Sequence, residues 1–271
     1  MRTAFVPPRR LALQTLLLAG VLLAGCATPG VAPEVRQALA PTGTLRVAVY
    51  EGSPTSLVRG PAAGEMRGLS VDIGREMARR LGVPAEIVVY ERVPAIVAAL
   101  KDGKADFTIT NATAARARDV DFTPAVVGLE TGYLVPANSP IKAFDEVDRG
   151  GVRVGVSQGS TSQGVLTRDL KQAKVVPAAS VTAATRMLAE GELDAFATNK
   201  GILFEMADKL PGSRVLEGRW GLESLAIAVP TGRDAGAAWL KAFAADVAAQ
   251  GQVQQAATRA GLRGTVAPPR P

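Results

Sequence analysis

The sequence predicts an α/β protein of two similar lobes with a ligand cleft between them. Three observations carry this expectation. An apolar strand running into a Gly-Ser turn occurs twice, at Leu45–Ser53 and again at Val152–Ser160. A helix end, a glycine stop and a strand start also occur twice, as Leu100-x-x-Gly103-x-x-Asp106 and Leu188-x-x-Gly191-x-x-Asp194. Amphipathic helical patterns lie between these marks, and strands alternating with helices form parallel sheets flanked by helices. Five residues beyond each aspartate stands a Thr-Asn pair, Thr110-Asn111 and Thr198-Asn199. Ligands in open α/β sheets sit beyond the carboxyl ends of strands, so both Gly-Ser turns and both Thr-Asn pairs are expected at the cleft.

In chain order, residues 1–25 read as a leader. Arg2, Arg9 and Arg10 precede the apolar run Leu11–Ala24, too short to span a bilayer but of the size of a signal-peptide core. The run ends Leu23-Ala24-Gly25-Cys26, which resembles the lipobox of bacterial lipoproteins. That resemblance implies lipidation of Cys26 by a multi-acyl, palmitate-type anchor, which holds stably where one chain would not. Residues 26–42, with Pro29, Pro33 and Pro41, read as a flexible tether, and residues 264–271, rich in proline, as a disordered tail.

Of 271 residues 47% are hydrophobic, enough for one large or two ordinary domains. The formal charge is +6, of which Arg2, Arg9 and Arg10 supply three, leaving +3 for the remainder. No basic run with interleaved aromatics marks a nucleic-acid surface. Histidine is absent and Cys26 is the only cysteine. Ser-His-Asp and Cys-His catalysis, His-ligated metals, an internal disulfide and a zinc-thiolate cluster are therefore excluded, and no metal or cofactor is expected.

Within the body, Val71–Leu81 places Ile73, Met77 and Leu81 at helical spacing, and Val93–Leu100 and Val181–Leu188 follow the same rule. Asp106–Thr110 alternates as a strand, Asn111-Ala112 turns, and Thr113 caps a short helix whose first turn holds Arg116. A guanidinium beside unsatisfied backbone N–H groups attracts a carboxylate or another small anion. Arg118 lies elsewhere on that helix and is expected at the surface.

These features together resemble the polar-amino-acid type of bacterial extracellular solute-binding protein, the receptor of ABC importers. The resemblance covers roughly Gly43–Gly261. Its marks are Gly43-Thr44-Leu45-Arg46-Val47-Ala48-Val49, Gly68-Leu69-Ser70-Val71-Asp72-Ile73, Thr113-x-x-Arg116 before Val120-Asp121-Phe122, and Val154-Gly155-Val156 leading to Gly159-Ser160-Thr161. It implies a two-lobed periplasmic-binding-protein-like fold of type II. The chain would cross near Glu130–Leu134 and return near Ser224–Val229. Lobe 1 would then comprise 43–131 and 226–263, and lobe 2 would comprise 132–225. A helix from Asp234 through Trp239 and Phe243 to Ala249 would pack on lobe 1, with Trp239 in the core.

The resemblance further implies that Arg116 grips the ligand carboxylate, helped by Thr113, Thr110 and Asn111 from lobe 1 and by Ser160 and Thr161 from lobe 2. Tyr50 would cover the ligand. Amino-acid binders also present acids to the ligand ammonium at two positions, occupied here by Ser70 and Asn199. A charge-assisted hydrogen bond is worth roughly 1.5–3 kcal/mol, so losing two weakens ammonium binding at least about a hundredfold unless another acid compensates. Glu51 is the first such acid, and Glu130 and Glu223 near the crossings are weaker ones. Lys200 beside Asn199 would instead favour a second anionic group. Two ligand classes follow: a small carboxylate without an α-amino group, or an amino acid held by Glu51.

The expected function is a non-enzymatic, exported and lipid-anchored receptor on the periplasmic side of a bacterial membrane. It would act as a monomer, delivering an amino acid or related organic acid to an ABC permease. Two other functions use the same closure. One is a dehydratase-like periplasmic enzyme, for which Glu51 is the available acid. The other is a ligand sensor for a membrane signalling partner.

Overall fold

A computed structural model describes residues 30–268, together with Met1 and Thr3. The leader, the lipidation site at Cys26 and the last three residues of the tail lie outside the described residues.

The chain runs α1 (Pro33–Leu39), β1 (Leu45–Tyr50), the two-residue strands β2 (Val58–Arg59) and β3 (Met66–Arg67), α2 (Leu69–Leu81), β4 (Ala85–Tyr90), α3 (Val93–Lys101), β5 (Thr108–Asn111), β6 (Val120–Phe122) and β7 (Val127–Val135). It continues through β8 (Arg153–Ser157), α4 (Thr161–Asp169), β9 (Lys174–Ala178), α5 (Val181–Ala189), β10 (Ala195–Asn199), α6 (Lys200–Ala207), β11 (Arg214–Val215), β12 (Gly221–Pro230), α7 (Asp234–Ala249), α8 (Gln252–Arg259) and β13 (Thr265–Val266).

Two lobes result, joined by β7 and β12. In lobe 1, β1 pairs in parallel with β4, and Val47 bridges in parallel to Phe107 just ahead of β5. In lobe 2, β8 pairs in parallel with both β9 and β10. The long strands β7 and β12 belong to both. Residues 225–230 of β12 pair with β5 and β6, while residues 221–225 pair with the first half of β7. The second half of β7 then pairs with β10. This pairing is the two-crossover arrangement of the type II fold.

The lobes have separate cores. Leu45, Val47, Met77, Phe107, Ile227 and Phe243 are among the buried side chains that pack β1, β5 and β12 against α2, α7 and α8. Tyr133, Val154, Val156 and Leu166 centre one side of the lobe 2 sheet, and Phe196, Leu188, Leu203 and Met206 the other. Trp239 is partly buried against the first core and stacks on Phe243, with ring centroids 5.4 Å apart.

The repeated sequence marks fold into the same clamp in each lobe. Arg46 donates from its backbone N (3.0 Å) and Nε (2.8 Å) to Asp106 Oδ2, and from Nη2 to Asp106 Oδ1 (2.8 Å) and the Gly103 carbonyl (2.7 Å). Arg153 repeats every one of these bonds with Asp194 and Gly191, at 2.7–2.9 Å. The lobe 1 copy is the more deeply buried, since the Asp106 side chain is 0% exposed and also faces Arg233, whereas Asp194 is 34% exposed.

Two segments depart from the expectation. The tether expected over 26–42 contains α1, which packs on α7. Pro33 stands in the first helical turn, where its missing N–H satisfies no helix bond anyway. Leu39, 2% exposed, fills a space that a side chain at Gly236 would occupy. Arg36 Nε donates to the Leu81 carbonyl at 2.9 Å, and Arg233 donates to the Ala38 carbonyl. The tail expected over 264–271 contains β13, which pairs Thr265 with Leu129 and Val266 with Gly128. Proline-rich composition marks where a helix or strand stops; it does not prevent a short element from adding to an existing surface.

Candidate functional site

Four strands, β1, β5, β8 and β10, end at one cavity between the lobes. Its volume is about 50 Å³. Tyr50 arrives from β1, Thr110 and Asn111 from β5, Ser157 from β8, and Thr198 and Asn199 from β10. Arg116 enters from the turn after β5 and Glu223 from β12, while Ser160 and Thr161 bring the start of α4. The lobes touch around the rim. A methyl group at Gly159 of lobe 2 would stand 2.6 Å from Pro94 at the start of α3, and one at Gly52 of lobe 1 would stand 3.0 Å from Val181 of α5. Asn111 Nδ2 lies 3.5 Å from Thr161 Oγ1 across the cleft.

Arg116 is held by its own strand. Nη1 donates to Thr110 Oγ1 at 2.9 Å and to the Asn111 carbonyl at 3.0 Å. That uses both hydrogens of Nη1. Among the described residues, no acceptor takes Nε or Nη2, the edge that forms two parallel bonds with a carboxylate. Burial pulls the Arg116 pKa down, and nearby Glu223 and Tyr50 oppose that pull.

Glu223 is the acidic counterpart. Asn199 Nδ2 donates to its Oε2 at 2.9 Å. Burial pushes its pKa up; the Asn199 hydrogen bond and Arg116 work against this. Asn199 is fixed from its other end, because its Oδ1 caps α6 by accepting from the Ile202 N–H at 3.1 Å. Tyr50 has its pKa raised by burial, and its backbone N–H donates to Ser56 Oγ at 2.8 Å.

The structure brings together Arg116, Thr110, Asn111, Ser160, Thr161, Tyr50 and Asn199 of the residues expected from sequence. It leaves out Thr113, Ser70 and Glu51. Thr113 accepts from the Arg116 backbone N–H at 3.3 Å outside the cavity. The short helix expected after it is one 3₁₀ turn, Arg116–Arg118, too short to present a set of aligned N–H groups. Ser70 is fully buried; its hydroxyl donates to the Thr55 carbonyl at 3.1 Å and accepts from the Ile109 N–H at 3.0 Å. It positions the Thr55 loop beneath the cavity without facing a ligand. Glu51 turns outward to pair with exposed Arg59. Lys200 cannot offer a second cation to the cavity, because its Nζ is tied to Glu130 Oε2 at 2.7 Å, and Arg219 holds Glu130 Oε1 at 3.0 Å. Ser160 lines the cavity, yet its hydroxyl caps α4 by accepting from the Gln163 N–H.

Sequence reasoning placed Glu223 behind Glu51 as a cleft acid, whereas the structure puts Glu223 at the cavity and Glu51 outside it. The one signal for Glu223 was its place beside the return crossing, since a residue entering a crossover strand faces the gap between lobes. Among the described residues no group of three His, Cys, Asp or Glu is placed to hold a metal. With one unengaged guanidinium edge, one carboxylate and several hydroxyl and amide groups, the cavity can bind and orient a small polar solute.

The sequence pattern that defines bacterial extracellular solute-binding proteins, family 3, matches residues 45–261. The chain is 26% identical over 186 residues to the ABC transporter glutamine-binding protein GlnH of Bacillus subtilis (strain 168), covering 66% of each. It is 26% identical over 178 residues to the glutamine-binding protein of Geobacillus stearothermophilus, covering 63% of this chain and 66% of that one. The matches thus span just under two thirds of these relatives. Among solved structures, the receptor for L-cysteine of Neisseria gonorrhoeae superposes with a TM-score of 0.73 at 25% identity, covering 83% of this chain and 92% of that one. The ancestral amino acid-binding protein AncCDT-1, a precursor of cyclohexadienyl dehydratase, gives 0.72 at 23% identity over 83% and 98%.

Proposed function

The chain belongs to the bacterial extracellular solute-binding proteins of family 3, and from that membership we propose that it is the substrate-binding component of an ABC importer. It captures a small carboxylate-bearing solute, an amino acid or related organic acid, by closing its lobes over it. It is exported, anchored through lipidated Cys26 on the periplasmic side of the membrane, and hands its ligand as a monomer to a permease without transforming it.

The observation that carries this reading is that Arg116 lines an inter-lobe cavity with its Nη1 fixed by Thr110 and Asn111, while no acceptor among the described residues takes its Nε–Nη2 edge. A bidentate arginine–carboxylate contact supplies both attraction and orientation. A ligand touching Arg116 on one side and Thr161 or Asn199 on the other contacts both lobes only when they are closed. Its differential affinity then favours that state. The Bacillus and Geobacillus relatives are named for glutamine binding, which agrees with a solute bearing a carboxylate.

The test is a melting-shift panel of amino acids, monocarboxylates and dicarboxylates. A ligand at a hundred times its Kd stabilises the fold by about 2.7 kcal/mol, a shift of several degrees. Arg116→Ala is expected to abolish the shift and leave the unliganded melt nearly unchanged. A collapse of the unliganded melt would make Arg116 structural, and turnover of a bound compound would make the protein an enzyme.

A further inference from the structure

We propose that two reciprocal contacts between the lobes, Pro94 on Gly159 and Val181 on Gly52, set the closing distance and limit the ligand to a compact acid. Glycine, alanine or propionate fits that limit, and a solute as long as glutamine is refused. This rests on the carboxylate reading and adds a length limit to the same cavity.

The contacts are built from the repeated sequence marks. Gly52 and Gly159 belong to the two Gly-Ser turns, and both have left-handed backbones, φ +83° and +72°. Each turn receives the start of a helix from the opposite lobe. Pro94, in the first turn of α3 in lobe 1, packs against Gly159 of lobe 2. Val181, the first residue of α5 in lobe 2, packs against Gly52 of lobe 1. The two helices are equivalents, since each runs into its own lobe's Leu-x-x-Gly-x-x-Asp mark. At each turn the opposing side chain stands close to where a β-carbon would be, Pro94 Cγ at 2.6 Å and Val181 Cγ1 at 3.0 Å. Glycine thus lets each lobe close down to the other's backbone, and closure stops there.

Pro94 and Val181 also line the cavity. The same two side chains therefore fix how far the lobes close and form part of the wall of the space that remains. Elsewhere that wall is held, because Ile109, Ile202 and Leu225 are buried in the lobe cores and Arg116 and Asn199 are tied by hydrogen bonds. At about 50 Å³ the cavity has room for about three to five water-sized groups. Bonded atoms overlap, so that room suits a carboxylate on a short stem. A longer stem must either overpack the wall or hold Pro94 and Val181 off their glycines. In the second case the ligand gives up contacts that belong only to the closed form, and its differential affinity for that form falls.

The experiment uses the full chain and two ladders of acids that lengthen one methylene at a time. One is acetate, propionate, butyrate, valerate and hexanoate; the other is glycine, alanine, 2-aminobutyrate, norvaline and norleucine, with glutamine beside them. Kd values are measured by calorimetry for the wild type, Val181→Ala and Pro94→Ala. In whichever ladder binds, wild-type affinity should peak at a short member and fall about tenfold or more as the stem lengthens by a further carbon or two. In each variant the peak should move to a longer member, because the wall recedes. Affinity that rises or stays level to the end of the ladder overturns the proposal and leaves the carboxylate reading intact. So does glutamine bound as tightly as the best short member, and neither comparison needs a variant. A short-member peak that neither variant moves overturns the assignment of the limit to Pro94 and Val181. The two variants lie in different lobes, so if one melts early the other decides. Absence of binding by every acid overturns the carboxylate reading, and this inference with it.

Discussion

Arg116 and Glu223 reach the cavity from opposite kinds of sequence signal. Arg116 stands three residues after a threonine in a recognisable strand-turn pattern, so its place at the cavity could be read locally. Glu223 sits in an apolar strand with no motif around it. Its position depends on pairing with Leu129, 94 residues away, and on Asn199. Ser70 and Glu51 failed for the same reason in reverse: local position put them near the cleft, and long-range hydrogen bonds or solvent took their polar atoms elsewhere. Glu223 also has a consequence for pH. Burial raises its pKa in the folded state, so the native protein holds its proton more tightly than the unfolded chain does. Stability is then lost as pH rises from the ordinary carboxylate range through the raised value. Denaturation of unliganded protein at several pH values should show wild type and Glu223→Gln alike in acid. Near neutrality and above, Glu223→Gln should be the more stable.

At the scale of elements, the paired clamps give a controlled comparison. The hydrogen bonds of Asp106 and Asp194 are matched, but Asp106 is fully buried between Arg46 and Arg233. Breaking a buried pair strands a charge and costs about 3–5 kcal/mol, whereas an exposed pair is worth about 1 kcal/mol or less. Asp106→Ala should therefore cost several times more than Asp194→Ala in chemical denaturation. Equal losses would mean that backbone acceptance, common to both, dominates. The clamps were visible in the sequence as a repeated Leu-x-x-Gly-x-x-Asp, and α2, α3, α5 and α7 as runs of helical period. The elements that were not visible, α1 and β13, are short. Their stability comes from the surfaces they cover, Leu39 against α7 and Val266 against Gly128, which no local pattern records.

Across the whole molecule, closure depends on a few close approaches. Gly159 has φ +72° and faces Pro94 across the cleft with no room for a methyl group. Gly159→Ala should oppose the closed form both through its backbone conformation and through that contact. The expected result is about a tenfold loss of ligand affinity by calorimetry, with only a small drop in the unliganded melt. Ligand-induced compaction in small-angle scattering should shrink in parallel. The two-lobed plan was legible because the sequence repeats itself; the closeness of the lobes was not, because it depends on which small residues meet. The position of α1 has one more consequence. Its two bonds, Arg36 to the Leu81 carbonyl and Arg233 to the Ala38 carbonyl, rivet the start of the described chain to the lobe that carries Arg116. The described chain therefore begins on that half. Ligand capture is then expected to register as a movement of the other half, the one bearing Asn199 and Thr161, measured from the half on which the described chain begins.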